Sequence, residues 1–301
     1  MELRQLKYFA KTAETLNFSE AARELFVTQS TLSQQIRSLE QELGVELFQR
    51  DSHSVSLTES GEHLLPIARR TLQDADLCFT QISDLKQMLS GVLNIGISYT
   101  FAPVLTEAVK VFNQSYPGVK LNIICQTMGR LMELLKHREV DFVLCFKPIK
   151  LDEEIESHIL FDNQMSVILS KNHPLADQQS LKLSDLKMQK VALPGKENQV
   201  RCALEHFFPG VLDGMNVQVE LNEINVLLDI IRATRMVSFM SEATLYQKEG
   251  LKAIPLDEPN TQMEGCVHTL KKSYRKKATE EFIRILSQTE AVKERAHNWI
   301  R

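Results

Sequence analysis

Gln29, Ser30, Ser33, Gln34 and Arg37 share one side of a stretch in which Leu32, Ile36, Leu39 and Leu43 recur at helical spacing on the other. These polar types suit recognition rather than bond-making. Glutamine and serine donate and accept at base edges, and an arginine holds a phosphate or a guanine. Groups that make or break bonds are not assembled in the same way: the chain has no G-x-S-x-G, H-E-x-x-H, Walker or G-x-G-x-x-G motif, and its histidines are scattered. Cys78, Cys125, Cys145, Cys202 and Cys266 are odd in number and widely spaced, with no C-x-x-C pair and no histidine at zinc-finger distance. No catalytic residue, metal site or cofactor is therefore expected, and the thiols read as inert.

The polar rack needs a scaffold. Leu3, Leu6, Phe9, Ala10 and Ala13 predict a first amphipathic helix. Ser19 reads as the N-cap of a second helix containing Ala21, Ala22 and Leu25, and "FVT" breaks it. Thr28 caps a third helix, which Gly44 ends. The small Ala21 and Ala22 allow close crossing, as a helix-turn-helix requires when its second helix enters a major groove. Taken alone, residues 18–44 also fit a helical hairpin with a polar outer face. The following "ELFQRDSHSVSLTESG" alternates Val55 and Leu57 with polar neighbours after a turn-rich run, as a β-hairpin wing does.

Charge sets a condition on this reading. The 301 residues carry a formal net charge of −4, which argues against indiscriminate coating of nucleic acid. In residues 1–58, Arg4, Lys7, Lys11, Arg23, Arg37 and Arg50 face Glu2, Glu14, Glu20, Glu24, Glu40, Glu42, Glu46 and Asp51, so any basic patch must be made by placement. The N-terminus lacks the apolar core of a signal peptide and no stretch is long and apolar enough to span a bilayer, so a cytoplasmic protein without a membrane partner is expected.

From Thr58 to about Ser90, Leu65, Ala68, Leu72, Ala75, Phe79, Ile82, Leu85 and Leu89 form a stripe that predicts one long helix. It reads as a coiled-coil seam or as a core helix, loosened near Pro66. After Gly91, "VLNIGIS", "PGVKLNIIC" and "VDFVLCF" alternate with helical stretches, and "MSVILS", "KVALP", "NVQVEL" and "MVSFM" repeat the arrangement. This predicts two α/β lobes built on open parallel sheets. Ligands in such sheets sit beyond the strand carboxyl ends. Ser98, Tyr99, Thr100, Thr127, Met128, Gly195 to Asn198, and Asn222 would then line a cleft whose hydroxyls and helix-start amides suit a small anion such as a carboxylate. Several of these residues also fit ordinary caps and turns.

"LRQLKYFAKTAETLNFSEAARELFVTQSTLSQQIRSLEQELGVELFQR" with "VSLTESGEHLLPIARR" resembles the LysR-type transcriptional regulators across the whole winged helix-turn-helix. "GVLNIGIS", "HREVDFVL", "LSKNHPLADQQSLKLSDL" and "VLLDIIRATRMVSFM" resemble their effector domain. The resemblance implies a winged helix-turn-helix in residues 1–58, a dimerising linker helix in 59–90, and a periplasmic-binding-protein-like effector domain in 91–301. In that domain lobe I comprises about 91–161 and 267–301, and lobe II about 162–266. It implies base contacts from Gln29, Ser30, Ser33 and Gln34, and backbone or wing contacts from Arg4, Arg37, Arg50 and His53. The partners would be double-stranded promoter DNA, a small-molecule effector, and a second copy of the chain as a homodimer or a homotetramer. The chain departs from many relatives at Gln34 and His53, where they carry Arg, and at Thr234 and Arg235, where they carry a Gly pair. At a reference pKa of about 6.5, His53 would be mostly neutral at pH 7. Two other readings stay open: a redox-responsive regulator using Cys202, and a solute-binding module.

Overall fold

The computed structural model describes residues 1–50, 54–85, 90–150, 152–245 and 248–296. The chain divides into two compact units, Met1–Met88 and Leu89–Arg301.

The first unit runs α1 (Leu3–Thr15), α2 (Phe18–Glu24), α3 (Gln29–Leu43), an antiparallel hairpin of β1 (Phe48–Arg50) and β2 (Val55–Leu57), and α4 (Glu59–Leu85). Its core gathers Phe9, Ala21, Leu32, Ile36, Leu39 and Leu47, each fully buried, around Phe18 and Phe48, whose rings meet edge-on with centroids 5.5 Å apart. The cap of α2 is Asn17 rather than Ser19: its Oδ1 accepts from the Ser19 and Glu20 amides at 2.9 and 3.1 Å. Helix therefore begins early enough to bury Phe18. Thr58 caps α4, its Oγ1 accepting from the Gly61 amide at 3.1 Å. The stripe on α4 divides between two surfaces. Leu65, Ala68 and Leu72 pack into this unit's own core and do not form a free seam, because α4 lies against α1, whereas Ile82 is 56% exposed. Leu89 and the side chains of Phe79 and Leu85 lie outside the described residues.

The second unit contains β3 (Gly91–Ile97), α5 (Ala102–Ser115), β4 (Val119–Cys125), α6 (Met128–Lys136), β5 (Phe142–Phe146), β6 (Ile155–Ser170), β7 (Lys190–Pro194), α7 (Gln199–Phe207), β8 (Asn216–Leu221), α8 (Ile224–Ala233), β9 (Ser238–Ser241), β10 (Leu251–Pro255), β11 (Gln262–Leu270), α9 (Lys277–Ser287) and α10 (Glu290–Ala296). The sheets are mixed rather than all parallel. In one lobe β4, β3 and β5 run parallel, and β11 and the first half of β6 continue the sheet, β11 running antiparallel to β5 and to β6. In the other, the second half of β6 lies between β9 and β10, antiparallel to both, and β7 pairs in parallel with β8 and bridges to Val237 ahead of β9.

Strand β6 thus serves both lobes, and its pairing with β11 shifts register at Gly265/Cys266. A Cβ on Gly265 would stand 2.7 Å from the Phe161 ring, so the crossing is built on a residue without one. Helix α9 packs on α5, bringing Phe282 against Phe112 and Phe142. The Thr234–Arg235 turn closes without a glycine: Thr234 is extended, its hydroxyl donates to the Ile230 carbonyl at 2.7 Å, and its Oγ1 accepts from the Met236 amide at 3.1 Å.

The buried polar group with the clearest energetic consequence is His268, fully buried on β11. Its Nε2 donates to the Cys145 carbonyl at 3.3 Å, which leaves Nδ1 to accept from the Ser157 hydroxyl at 2.8 Å. Burial pushes the imidazole pKa down to about 4, with the carbonyls of Cys145 and Phe146 pulling weakly the other way. The unfolded chain therefore binds a proton between pH 6.5 and 4 that the folded chain refuses, so stability is full above pH 6.5 and falls as pH drops through that window. The expected loss from this group is about 3 kcal/mol. Chemical denaturation at about pH 7 and about pH 4.5 checks it: the drop should shrink in His268→Gln, and an equal drop in both proteins would remove His268 as its source.

Candidate nucleic-acid interface and ligand cleft

Helix α3 is held on one face by Leu32, Ile36 and Leu39 and presents Gln29, Ser30, Gln34 and Arg37 on its exposed face, with Ser33 half-buried at the edge. Thr28 accepts from the Thr31 amide at 3.2 Å, and its hydroxyl also meets those of Ser30 at 2.9 Å and Thr31 at 2.8 Å, so Ser30 is tied to the cap. Residues 29–37 contain no acid, and the positive end of the helix dipole lies at their start. The acids nearby are largely engaged. Lys11 pairs with Glu14 at 2.9 Å and Glu24 at 3.1 Å, Arg23 with Glu20 at 3.6 Å, and the N-terminus with Glu42. Placement, rather than net charge, keeps this face free of repulsion.

Two of the arginines expected to contact DNA, Arg4 and Arg50, are themselves engaged. Arg4 is exposed and pairs with exposed Glu2 at 3.3 Å. Arg50 lies over the Phe18 ring at 4.6 Å, pairs with Glu40 at 3.1 Å and donates to Ser33 Oγ at 3.4 Å. Glu40 also accepts from the Leu47 and Phe48 amides at 2.9 and 3.3 Å. Together they stitch the wing's first strand to α3. His53 lies outside the described residues. Composition and periodicity gave no hint of this Glu40–Arg50 brace, because its partners are separated by a turn and a strand start.

In the second unit a cavity of about 610 Å³ opens at the carboxyl ends of β3, β4, β7 and β8. Ser98, Tyr99, Thr100, Thr127, Met128, Gly195, Asn198 and Asn222 all line it. Their chemistry differs. Ser98 Oγ is buried with no hydrogen-bond partner, and the Thr127 hydroxyl makes no cap bond although Thr127 stands at the N-cap of α6. These two oxygens, with the start of α6, can receive a ligand's acceptor atoms. Asn198 is committed as a cap, its Oδ1 accepting from the Val200 and Arg201 amides at 3.0 and 3.3 Å. Gly195 makes a close approach possible: a Cβ there would lie 3.1 Å from that of Asn222.

The start of α8 is closed to anions. Glu223 caps it, accepting from the Val226 amide at 2.8 Å and the Asn225 amide at 3.2 Å, and those bonds hold its carboxyl below the usual range. Side chains also join the lobes across the cavity. Tyr99 Oη donates to Asn225 Oδ1, and the Thr100 and Thr244 hydroxyls meet at 3.5 Å. Gln199 pairs with Phe146 both ways, donating to its carbonyl at 2.7 Å and accepting from its amide at 3.1 Å. Burial raises the Tyr99 pKa, with Glu223 adding to it, so the phenol stays a donor. A second cavity of about 730 Å³ shares Met128 and Gln199 with the first and is lined in part by Ile149, Cys202, Phe207 and Met263.

Cys202 is exposed, and its Sγ lies 3.2 Å from the Lys196 carbonyl. Burial of the sulfur and Glu205 raise its pKa, against a smaller opposing pull from Arg201. Arg201 is itself bonded to Glu205 at 2.8 Å and to Glu220 at 3.1 Å. Cys266 is fully buried in register with Cys145, and its thiol is pushed up to about 12. Neither is an activated thiolate. Among the described residues no group of His, Cys, Asp and Glu is arranged to hold a metal ion, and no helix is long and apolar enough to cross a membrane.

A winged helix-turn-helix with a polar recognition face, in one chain with a two-lobed cleft, defines a ligand-responsive DNA-binding regulator. Residues 3–62 match the family model for bacterial regulatory helix-turn-helix proteins of the lysR family, and residues 86–291 match the LysR substrate binding domain. The chain belongs to the LysR family of DNA-binding transcriptional regulators. It is similar to the transcriptional activator CmpR of Synechocystis sp., 29% identical over 79% of this chain and 78% of that protein. It is also similar to the transcriptional regulator YtlI of Bacillus subtilis, 30% identical over 85% of this chain and 83% of that one. Among solved structures, a full-length cysteine-to-aspartate variant of OxyR from Pseudomonas aeruginosa aligns with a TM-score of 0.72 at 23% identity, over 97% of this chain and 99% of that one.

Proposed function

We propose that the cleft of the second unit binds a small carboxylate-bearing effector and that its occupancy sets how the protein engages promoter DNA. Ser98 carries this reading. A buried hydroxyl without a partner costs about 1–3 kcal/mol, and this one belongs to a residue that lines the cavity at the strand ends, as do Thr127 and the start of α6. A carboxylate placed there would accept from both hydroxyls and from helix-start amides. The protein acts in the cytoplasm by binding, without catalysing a reaction. Base contacts come from Gln29, Ser33 and Gln34, and a phosphate contact from Arg37. Arg50 braces the wing rather than reaching the backbone.

Two copies pair through the exposed end of α4, around Ile82, and read a two-fold-related site; pairing of such dimers gives the tetramer. A ligand can alter regulation only by favouring one arrangement of the assembly over another. Here the arrangements differ in the angle between paired DNA-binding heads. Footprinting on the DNA flanking the protein's own coding region, with a panel of small carboxylic and amino acids, tests the scheme. The expected result is a protected dyad whose edges shift with one compound. Ser98→Ala combined with Thr127→Ala should abolish that shift while leaving protection intact. Because the Ser98 hydroxyl is unpaired, Ser98→Ala should raise stability by about 1–3 kcal/mol. A shift that survives in the double variant would place the effector elsewhere.

A further inference from the structure

Phe26 is 96% exposed, the most solvent-facing of the large apolar side chains among the described residues. It sits at φ +56° in the turn between α2 and α3. The Phe26 amide donates to the Arg23 carbonyl at 3.2 Å, and the Val27 amide to the Ala22 carbonyl at 3.0 Å. Those two bonds make a Schellman motif in which Phe26 occupies the left-handed position just past the Leu25 cap. Folding favours glycine or asparagine there, since a bulky side chain is strained in that region and gains nothing from packing when it points into water. An exposed phenylalanine in this conformation works against the stability of its own unit. Its place in the chain explains its presence. It stands two residues before the Thr28 cap and three before Gln29, at the end of α3 that enters the groove.

We infer that Phe26 is an apolar DNA contact, its ring packing against a thymine methyl or the adjoining deoxyribose at the edge of the sequence read by α3. Thymine is the base whose major-groove edge carries a methyl group, and aromatic side chains pack on it. The inference rests on α3 being the recognition helix.

The test uses full-length protein and a pool of randomised duplexes, from which the wild type selects its sequence. Phe26→Gly and Phe26→Asn should bind the selected duplex about tenfold more weakly, bind an unrelated duplex within about twofold of wild type, and keep or raise the thermal midpoint. Replacing each thymine of the selected duplex by deoxyuridine then locates the contact. A position where lost methyl weakens the wild type but not Phe26→Gly assigns the ring to that base, and the lack of such a position assigns it to the sugar. Undiminished binding by both variants, an equal loss on the unrelated duplex, or a lowered thermal midpoint would each overturn the inference. Failure of the wild type to enrich any sequence would instead bring down the recognition-helix reading, and the inference with it.

Discussion

Gly61→Ala should destabilise the DNA-binding unit by about 3 kcal/mol, a large share of the margin of a small domain. A Cβ at Gly61 would lie 2.2 Å from the Leu47 carbonyl oxygen and 2.9 Å from Leu57 Cδ2. Backbone cannot give way as a flexible side-chain end can. That oxygen also accepts from the Thr58 amide at 3.0 Å, while the Thr58 hydroxyl donates to the Glu46 carbonyl at 2.7 Å and caps α4. Moving the carbonyl therefore loosens the base of the wing and the start of α4 together, and draws Leu47 and Phe48 from the core they share with Phe9 and Phe18. Hydrogen exchange on the full-length protein separates this from general damage: protection should fall across α1 to α4 and stay unchanged in residues 91–296. Gly129→Ala is the matched control, because nothing lies within 4 Å of a Cβ there and alanine suits a helix better than glycine. Equal protection in Gly61→Ala and wild type would show that the wing base adjusts at no cost.

That packing marks where sequence reading stops. Leu32, Ile36 and Leu39 between Thr28 and Gly44 specify α3 locally, since each residue's role follows from neighbours within four positions. The start of α2 was legible only to within two residues, because Asn17 and Ser19 are both good caps and burial of Phe18 decides between them. The first half of β6 is not legible in the sequence, because Glu156 and His158 interrupt its apolar run. It is a strand by virtue of its pairing with β11, about a hundred residues later in the chain. In the cleft, strand-end logic located the lining but not its polarity. Asn222 is the better cap by type, yet Glu223 takes the cap, and so an acid stands at a helix start that lines the cleft. The Gln199 bridge to Phe146 and the Arg50 stack on Phe18 depend on tertiary placement alone.

The same distinction between local and distant partners governs the residues proposed to contact DNA, and it sets the second large effect. Ser33→Ala with Gln34→Ala should weaken binding to the selected sequence about a hundredfold or more, since each good base contact carries about 1–3 kcal/mol of discrimination. Binding to unrelated DNA should change far less, because phosphate neutralisation dominates it and neither residue is charged. Stability should hold. Gln34 is exposed, and Ser33 only receives a 3.4 Å hydrogen bond from Arg50, which keeps its Glu40 partner and its seat over Phe18. Equal losses on both kinds of DNA would mean that neither side chain touches a base. Gln34→Arg gives a sharper readout. Glutamine pairs bidentately with adenine N6 and N7, and arginine with guanine O6 and N7, so the sequence selected by Gln34→Arg should change from A·T to G·C at one symmetric position in each half-site. With the rest of the selected sequence unchanged, that exchange would fix both the residue and the base it reads.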